Sequence, residues 1–239
     1  MCNGERGKGM ENNCGRPGNR FLLYRAAWEG IYGTHIVCGT AEFTDALFVY
    51  LDGKPDPESA AVLEKSYTGR PWVCLTEDWE THVRERYPGI NVYTRYRMKP
   101  AAGFSLPEEK PLPGGCTLSR MDEAAFMEHP FSHGCNYATY ADFSRLGSGA
   151  VVRRGGEIVS SASSFLSLEG EVEMDVSTKP DWRGKGLAAA CIREMLLDCM
   201  ERKLTVHWDA QNETSRHLAE KFGFEQDEAY RVYCLPKKG

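Results

Sequence analysis

A strand, a turn with two glycines and the start of a helix follow one another in the segment 171–190, EVEMDVSTKPDWRGKGLAAA. Polar and apolar residues alternate from Glu171 to Ser177, which predicts a strand with one buried face. Pro180 ends that strand because proline has no backbone N–H to donate to a sheet. The segment 183–188, RGKGLA, then leads directly into a helical pattern. Because a further strand follows the helix, we predict a parallel pair of strands joined by a crossover.

The turn has the composition of an anion-binding loop. Gly184 and Gly186 leave backbone N–H groups uncovered at the positive end of the helix dipole. Two known phosphate loops do not fit, since the Walker pattern GxxxxGK(S/T) does not occur and position 189, where a dinucleotide loop needs glycine, is alanine. Arg183 and Lys185 can add positive charge at the rim. The alternative is an ordinary helix N-terminus whose glycines serve only the turn.

The composition excludes several classes of protein. A chain of 239 residues has room for one large or two small domains, and 41% hydrophobic and 26% charged residues are ordinary values for a globular protein. The net charge of −5 argues against a nucleic-acid-binding surface, and no apolar run is long enough to span a membrane. We expect a cytoplasmic protein, because the N-terminus has no apolar signal region and the nine cysteines are scattered without a CxxC pair.

The first half of the chain indicates a small α/β domain. Residues 1–20 are rich in glycine, asparagine and charge, which favours a flexible arm. Residues 21–98 mix helical patterns with apolar and alternating runs that predict strands. Four prolines and three glycines in 99–115 predict a linker, and residues 116–239 would then form the second domain.

The second half has a more regular pattern. Three strands joined by turns at Gly155-Gly156 and Glu169-Gly170 predict an antiparallel meander. A helix at 121–129 precedes the meander, and a strand at 204–210, a helix at 212–222 and a strand at 230–235 follow the loop and helix described above. We therefore predict an α/β (α+β) fold with a mixed, mostly antiparallel sheet and flanking helices.

This order of elements and two of its segments resemble the GCN5-related N-acetyltransferases. The pattern R-x-x-G-x-A at 183–188 is similar to the family's acetyl-CoA pyrophosphate loop, and QNETSRHLAEKFGF at 211–224 is similar to its second recurring segment, an asparagine followed by a helix ending in K-x-G-F. More narrowly, the longer segment 208–224, WDA-x-N-x-x-S-x-x-LAEK-x-GF, resembles the subgroup that includes the zwittermicin-resistance acetyltransferase. The resemblance covers residues 116–239, and for the first half it implies a degenerate acetyltransferase-like repeat.

The resemblance implies acetyl-CoA as the cosubstrate. In the family, the loop binds the pyrophosphate, and the pantetheine arm binds backbone groups where two strands splay apart, as well as the asparagine of the second segment. The residues implied are Val176, Ser177 and Thr178 on the strand, Arg183, Gly184, Lys185, Gly186, Leu187 and Ala188 in the loop, and Asn212 and Ser215 at the last helix start. For Asn212 and Ser215 the alternative is a helix cap with a purely structural role.

Glu171, Glu173, Asp175 and Ser177 point to one face of the predicted strand. Neighbouring carboxylates repel one another unless a cation faces them, and an amine acceptor is such a cation. A carboxylate can also take the proton of the attacking amine, whose pKa is near 10. The resemblance favours Glu173 as this base, with Glu171 and Asp175 binding the acceptor. The alternative is a solvated polar strand face.

The acid that protonates the leaving thiolate departs from the family pattern. The tyrosine that many members carry in the last helix is replaced here by Ala219. Tyr230 and Tyr233 on the last strand are the candidate substitutes, and we assign Tyr230 as the general acid. Trp208 and Asp209 end the preceding strand and can hold a cationic substrate, although a tryptophan there suits the core equally well.

We predict no metal site. His129, His133 and Cys135 are residue types that bind zinc, but Pro130 breaks the helix that would align the histidines, and no fourth ligand is evident. The expected partner is a small-molecule amine, with no nucleic acid or membrane, and the chain is expected to be a monomer or homodimer. Two other functions stay open: a CoA-binding module without catalysis, which Ala219 favours, and a phosphate-binding domain for another nucleotide.

Overall fold

The computed structural model describes residues 21–128, 131 and 136–235. The predicted arm, 1–20, lies outside these residues, as do His129, His133 and Cys135. The helices are α1 Leu22–Trp28, α2 Pro57–Ser66, α3 Glu77–Arg86, α4 Glu123–Glu128, α5 Tyr140–Leu146, α6 Leu187–Glu201 and α7 Glu213–Lys221. The strands are β1 Thr34–Cys38, β2 Ala41–Asp45, β3 Val49–Gly53, β4 Trp72–Cys74, β5 Asn91–Pro100, β6 Cys116–Arg120, β7 Gly149–Arg154, β8 Glu157–Leu168, β9 Glu171–Thr178, β10 Thr205–Ala210 and β11 Phe224–Cys234.

The strands of the described chain form one sheet in the order β1-β2-β3-β4-β11-β5-β10-β9-β8-β7-β6. Its neighbours are antiparallel except for the pairs β3–β4 and β9–β10, which are parallel. The meander β7–β8–β9 and the parallel pair around the crossover helix α6 were both expected from the sequence. The predicted mixed, mostly antiparallel sheet with flanking helices is therefore confirmed.

Strands from the two halves of the chain alternate at the centre of the sheet. The last strand, β11, pairs with β4 on one side and with β5 on the other, and β5 also pairs with β10. Residues 101–115 contain no helix or strand and connect β5 at the centre to β6 at the edge. This irregular segment coincides with the predicted linker, while the division into two independent domains stays a prediction.

The long helix α6 covers one face of the second half of the sheet. Its buried residues recur at helical spacing and form one apolar stripe: Leu187, Cys191, Ile192, Met195, Leu196 and Cys199. They pack with Val172 and Met174 of β9, which alternate with the polar residues of that strand. Burial of this stripe fixes the direction in which the N-terminal end of α6 points, and so positions the loop before it.

The short helix α1 lies on the face of the sheet opposite to α6. Phe21, Leu22 and Ala26 pack there against Tyr50 of β3 and Tyr230 of β11. Strands β8 and β9, which contact both helices, therefore lie between α6 and α1. Polar side chains that β9 and β10 direct toward α1 are therefore shielded from water, which changes the chemistry of their carboxylates.

Candidate active site

A cleft of about 1430 Å³ opens between the end of β9, the first turns of α6 and α7, and the irregular segment 107–112. We call it the α6–α7 cleft. It is lined by every residue that the sequence implied for acetyl-CoA: Val176, Ser177, Thr178, Arg183, Gly184, Lys185, Gly186, Leu187, Ala188, Asn212 and Ser215. The fold thus brings three separate segments to one cavity of sufficient size for a nucleotide-containing ligand. Their role in binding stays a prediction.

The loop before α6 presents open backbone to this cleft. Gly184 and Gly186 have φ angles of 73° and 80°, in the region that side-chain-bearing residues rarely adopt. Gly186 is the N-cap of α6, and no side chain of the described residues caps this helix. A Cβ added to either glycine would meet no described atom within 4 Å. An anion can therefore approach the first N–H groups of α6 closely, at the positive end of the helix dipole.

Two residues of the loop, Arg183 and Lys185, carry positive charge. The Lys185 Nζ atom lies 4.5 Å from the centroid of the Trp182 ring, and the Arg183 Nε–H donates to the Thr178 carbonyl at 3.2 Å. Both side chains are exposed. They can neutralise part of a phosphate charge while they stay in contact with water, so their contribution will weaken with salt.

Strands β9 and β10 part halfway along their length. Their pairing runs from Thr205↔Glu171 to His207↔Glu173 and ends there. Beyond that point, the backbone N–H of Asp209 donates to Oε1 of Glu173 at 2.9 Å. No strand of the described chain pairs with the β10-facing side of residues 176–178, which line the α6–α7 cleft. An extended ligand can complete the backbone hydrogen bonds in such a gap.

The start of α7 forms another wall of the cleft. Asn212 is the N-cap, and its Oδ1 accepts a hydrogen bond from the backbone N–H of Ser215 at 3.0 Å. The Ser215 Oγ in turn accepts from the Trp208 Nε1–H at 3.2 Å. The structural role considered for both residues is thus present, and it leaves the Asn212 side chain at the cleft surface. A helix cap and a ligand contact are compatible at this position.

Glu171 forms ion pairs on the α1 side of the sheet. Its Oε1 lies 2.8 Å from the Arg25 Nη1, and its Oε2 lies 2.6 Å from the His207 Nε2. Partial burial raises the pKa of Glu171, but the hydrogen bonds from Arg25 and His207 outweigh it and hold the pKa below its usual value. This carboxylate therefore stays ionised at neutral pH and is already engaged by Arg25 and His207.

Glu173 is buried in a cluster of charged and phenolic side chains. Burial, followed by the nearby negative charge of Asp209, raises the pKa of Glu173 to about 8. Asp209 accepts from the Arg95 Nε–H at 3.0 Å and from the Tyr230 hydroxyl at 2.7 Å, both through Oδ2. We call Glu173, Asp209, Arg95 and Tyr230 the buried cluster. A carboxyl group with a pKa near 8 can exchange a proton at physiological pH.

The two residues proposed at the end of β10 lie on opposite faces of the sheet. Trp208 is in the α6–α7 core, where it contacts Phe224 and lines the cleft. Asp209 faces α1, inside the buried cluster. Neighbouring strand residues point to opposite faces, so the pair does not form a single substrate surface. Asp175, also proposed for the acceptor, is half-buried on the Glu173 side of β9.

The hydrogen bonding of Tyr230 does not suit the role of an acid in the cleft. Its hydroxyl donates to Asp209, and burial raises its pKa well above the usual value of a phenol. Among the described residues that line the α6–α7 cleft there is no tyrosine. Ala219 is fully buried in the core. The assignment of Tyr230 as general acid stays a prediction that the geometry does little to support.

Other chemical features of the described residues are few. They include no group of three or more histidine, cysteine or acidic side chains arranged to hold a metal ion. No disulfide joins any two of the six described cysteines, which lie at positions 38, 74, 116, 191, 199 and 234. None of the described helices has the length and apolar character needed to cross a bilayer.

The sequence did not reveal that the first half of the chain contributes residues to the candidate site. Arg25 and Arg95, which contact Glu171 and Asp209, come from α1 and β5. The signal that was present is the alternation in NVYTRYRM (91–98), which places Arg95 and Arg97 on one strand face. What the sequence alone could not show is that β5 lies next to β10.

Comparison with known proteins agrees with this architecture. A family model described as GNAT acetyltransferase matches residues 33–233. The uncharacterized N-acetyltransferase YdfB of Bacillus subtilis (strain 168) is 31% identical over 128 residues, which are 51% of this chain and 49% of that protein, so the match spans about half the length of this relative.

Solved structures extend the similarity to almost the whole chain. A GCN5-related N-acetyltransferase-like protein from Streptococcus suis has a TM-score of 0.77 at 27% identity, covering 92% of this chain and 95% of its own. A GCN5-related N-acetyltransferase from Kribbella flavida shares the fold at 17% identity, with a TM-score of 0.59 over 90% of this chain and 96% of its own. The family model covers well over half of the sequence, and this chain therefore belongs to the GNAT acetyltransferase family of N-acetyltransferases.

Proposed function

We propose that the protein transfers the acetyl group of acetyl-CoA to a primary amine of a small molecule, by direct attack of the amine in a ternary complex. One observation carries the proposal. The gap between β9 and β10 opens onto a cleft that also contains the start of α6, which no side chain of the described residues caps. An extended thioester arm fits the first feature and a diphosphate fits the second. The GNAT family generally uses acetyl-CoA, which supports this choice of donor.

In the proposed reaction, the neutral amine forms a bond to the thioester carbonyl carbon, and the carbon–sulfur bond then breaks. The amine loses one proton, and we assign its acceptance to Glu173, directly or through water. The raised pKa of Glu173 suits a base that works near neutral pH. Because Glu173 is buried and lies on the α1 side of the sheet, the amine must approach from that side of the β9–β10 gap.

The leaving thiolate takes up one proton to give free CoA. Ala219 offers none, and the Tyr230 hydroxyl is directed to Asp209. A thiol has a pKa of about 8.5, so the thiolate is a stable enough leaving group to depart and be protonated by water. We therefore expect that no single side chain is essential as the acid.

The acceptor class rests on charge and on the subgroup resemblance. Asp175 lies on the side of β9 from which the acceptor must approach, which favours a cationic amine. The resemblance of the segment 208–224 to the zwittermicin-resistance subgroup points to a small aminated molecule. The cytoplasmic location and the state of monomer or homodimer stay predictions.

The test is release of CoA thiol from acetyl-CoA in the presence of a panel of small amines, polyamines and aminated antibiotics. Turnover that depends on one amine class, with the acetylated product identified by mass spectrometry, is the expected result. Binding of acetyl-CoA without turnover on any amine would favour the second candidate, a CoA-binding module without catalysis, which Ala219 makes the specific alternative. Displacement of acetyl-CoA by ATP as readily as by CoA would point to a general nucleotide site.

A further inference from the structure

The buried cluster joins a carboxylate of the second half of the chain to a cation of the first half. Arg95 lies on β5, which the sheet inserts between β11 and β10. Its side chain contacts Asp209 twice: Nε lies 3.0 Å from Oδ2, and Nη2 lies 3.2 Å from the backbone carbonyl. The Arg95 and Asp209 side chains are both only 13% exposed, so the pair is desolvated and its interaction is weakly screened.

The same residue, Asp209, also fixes the orientation of Glu173. Its backbone N–H donates to Glu173 Oε1 at 2.9 Å, at the point where β9 and β10 separate. Arg95 holds the carbonyl of this residue, and Tyr230 holds its carboxylate. The position of the Glu173 carboxylate is thus set by a backbone group that two side chains from β5 and β11 hold in place.

Two buried atoms in this region have no hydrogen-bond partner among the described residues: Asp209 Oδ1 and Arg97 Nε. Both residues border a cavity of about 10 Å³ that Glu173 and His207 also line. That volume is close to what one water molecule needs. A polar cavity of this size, next to Glu173, gives the carboxyl group a route for proton exchange although the side chain is buried.

We propose that Arg95 and Asp209 are positioning residues for Glu173, so that the first half of the chain supplies part of the acceptor side of the active site. This inference rests on the proposed function, in which Glu173 accepts the amine proton. Asp209 orients Glu173 and places a negative charge beside it, while Arg95 holds Asp209 in place and offsets its charge. The raised pKa of Glu173 agrees with this arrangement.

The charged and titratable groups that face Glu173 come from several elements. They are His207 and Asp209 on β10, Arg95 and Arg97 on β5, Tyr50 on β3 and Tyr230 on β11, while Phe21, Leu22 and Leu23 at the start of α1 are apolar. Of these, Asp209 is the negative charge and Arg95 is its direct partner. Removal of the Asp209 charge should therefore lower the pKa of Glu173, and removal of Arg95 as well should raise it again.

The experiment is a nuclear magnetic resonance titration of the full chain labelled with ¹³C at the glutamate carboxyl group. The Glu173 signal is assigned by its loss in Glu173→Gln. The Asp209→Asn variant should move the Glu173 midpoint down by about one pH unit or more, and Asp209→Asn with Arg95→Met should move it back up by about half a unit or more. The double variant leaves neither charge buried alone, which protects folding. Arg231→Met, an exposed strand residue paired with Glu80, is the control and should leave the midpoint unchanged.

The reaction is then measured over the same pH range with the amine identified in the thiol-release panel. The acid limb of the pH profile of kcat should follow the Glu173 midpoint in each variant. A purely structural role of Arg95 and Asp209 would not produce this agreement. Equal midpoints in the wild type, Asp209→Asn and the double variant would overturn the inference while leaving acetyl transfer intact. If the Glu173 midpoint moves while the acid limb of the pH profile stays unchanged, both the inference and the base role of Glu173 would be overturned. Failure of the wild type to bind acetyl-CoA would instead overturn the proposed function.

Discussion

At the scale of single residues, the environment of Glu173 decides the chemistry of the site. A glutamate on an exposed strand face would have a pKa near 4.5 and would stay ionised through the physiological range. Here α1 removes water from the carboxylate and Asp209 adds a like charge, so that the proton is held up to a pH of about 8. The fold therefore gives an ordinary residue type the protonation behaviour that the proposed base needs, at a cost in stability.

That cost gives a prediction for Glu173→Gln. Between pH 4.5 and about 8 the folded chain keeps a proton on Glu173 that the unfolded chain releases, so the stability of the fold decreases as the pH rises through this window. Glutamine cannot ionise and still accepts the Asp209 N–H. We expect the variant to be more stable than the wild type at pH 9 by about 4 to 5 kcal/mol, since the pKa difference between about 4.5 and about 8 corresponds to about 1.4 kcal/mol per unit.

At pH 5 the two proteins should differ by less than about 1 kcal/mol, because Glu173 is then protonated in the folded state. Urea unfolding at the two pH values measures both differences. A stability difference that is the same at pH 5 and pH 9 would show that Glu173 ionises in the fold as freely as in the unfolded chain.

Most of the predicted residues of the cleft lie in two short segments with recognisable patterns. The loop 183–188 and the helix start 212–215 carry their signal in local spacing, and the structure brings both to one cavity. Arg95 carries no such signal. Its partner, Asp209, is 114 positions away, and the contact exists only because β5 and β10 are neighbours. The protonation behaviour of Glu173 was unpredictable for the same reason.

At the scale of secondary-structure elements, the two helix starts at the cleft differ in how they are capped. The side chain of Asn212 caps α7, whereas no side chain of the described residues caps α6. Helix N-termini normally obtain such a cap, so the first N–H groups of α6 can be satisfied by a ligand instead. The α6 start is thus the better candidate for diphosphate, and the α7 start for a neutral part of the coenzyme.

The variant Gly186→Glu tests the α6 start. It places a carboxylate where phosphate is proposed to bind, so acetyl-CoA affinity should fall by about 100-fold or more, as measured by calorimetry. Gly170→Glu is the matched control, since Gly170 also has a positive φ of 83° and open space around its Cβ position. Because Gly170 lies at the opposite end of β9, this control should bind acetyl-CoA like the wild type. Equal affinities in the two variants would contradict the proposed diphosphate site.

The variant Asn212→Asp separates capping from coenzyme contact at the α7 start. Aspartate caps a helix as well as asparagine does, so the unfolding free energy should change by less than about 0.5 kcal/mol. The new carboxylate replaces an amide at the cleft surface, so acetyl-CoA should bind about tenfold more weakly. Thermal unfolding and calorimetry give the two numbers. Unchanged affinity would leave Asn212 with a structural role alone.

Elements with strong periodicity were predictable, and short or polar ones were not. The helix α6 and the alternating strands β5 and β9 were expected. The strands β2 and β6 and the helix α5, of five, five and seven residues, were not. The last strand begins at Phe224 rather than at 230, since the polar run EQDE (225–228) pairs with β5 through backbone bonds that its composition does not reveal.

At the scale of the whole molecule, the exchange of central strands makes the two halves depend on each other. β5 forms the neighbour of β10, and β11 forms the neighbour of β4. Removal of the first half by a cut at 99–115 would leave β10 with an unpaired edge and would expose the rest of the buried cluster, which α1 covers. Exposed apolar strand edges promote aggregation.

We therefore predict that residues 116–239 do not fold when expressed alone, although they carry the recognisable motifs. Co-expression with residues 1–115 should restore a soluble complex, because the missing strand β5 is then supplied in trans. Circular dichroism and size-exclusion chromatography measure the outcome. A monomeric, cooperatively unfolding fragment 116–239 would establish the second domain as independent and would contradict this prediction.

The central claim is that the uncapped start of α6 and the β9–β10 gap bind acetyl-CoA. Calorimetric titration of the full chain with acetyl-CoA tests it most directly, since it needs no knowledge of the amine. We predict saturable one-site binding with a Kd in the micromolar to submillimolar range. A chain that is folded but releases no heat of binding up to millimolar acetyl-CoA would contradict the account.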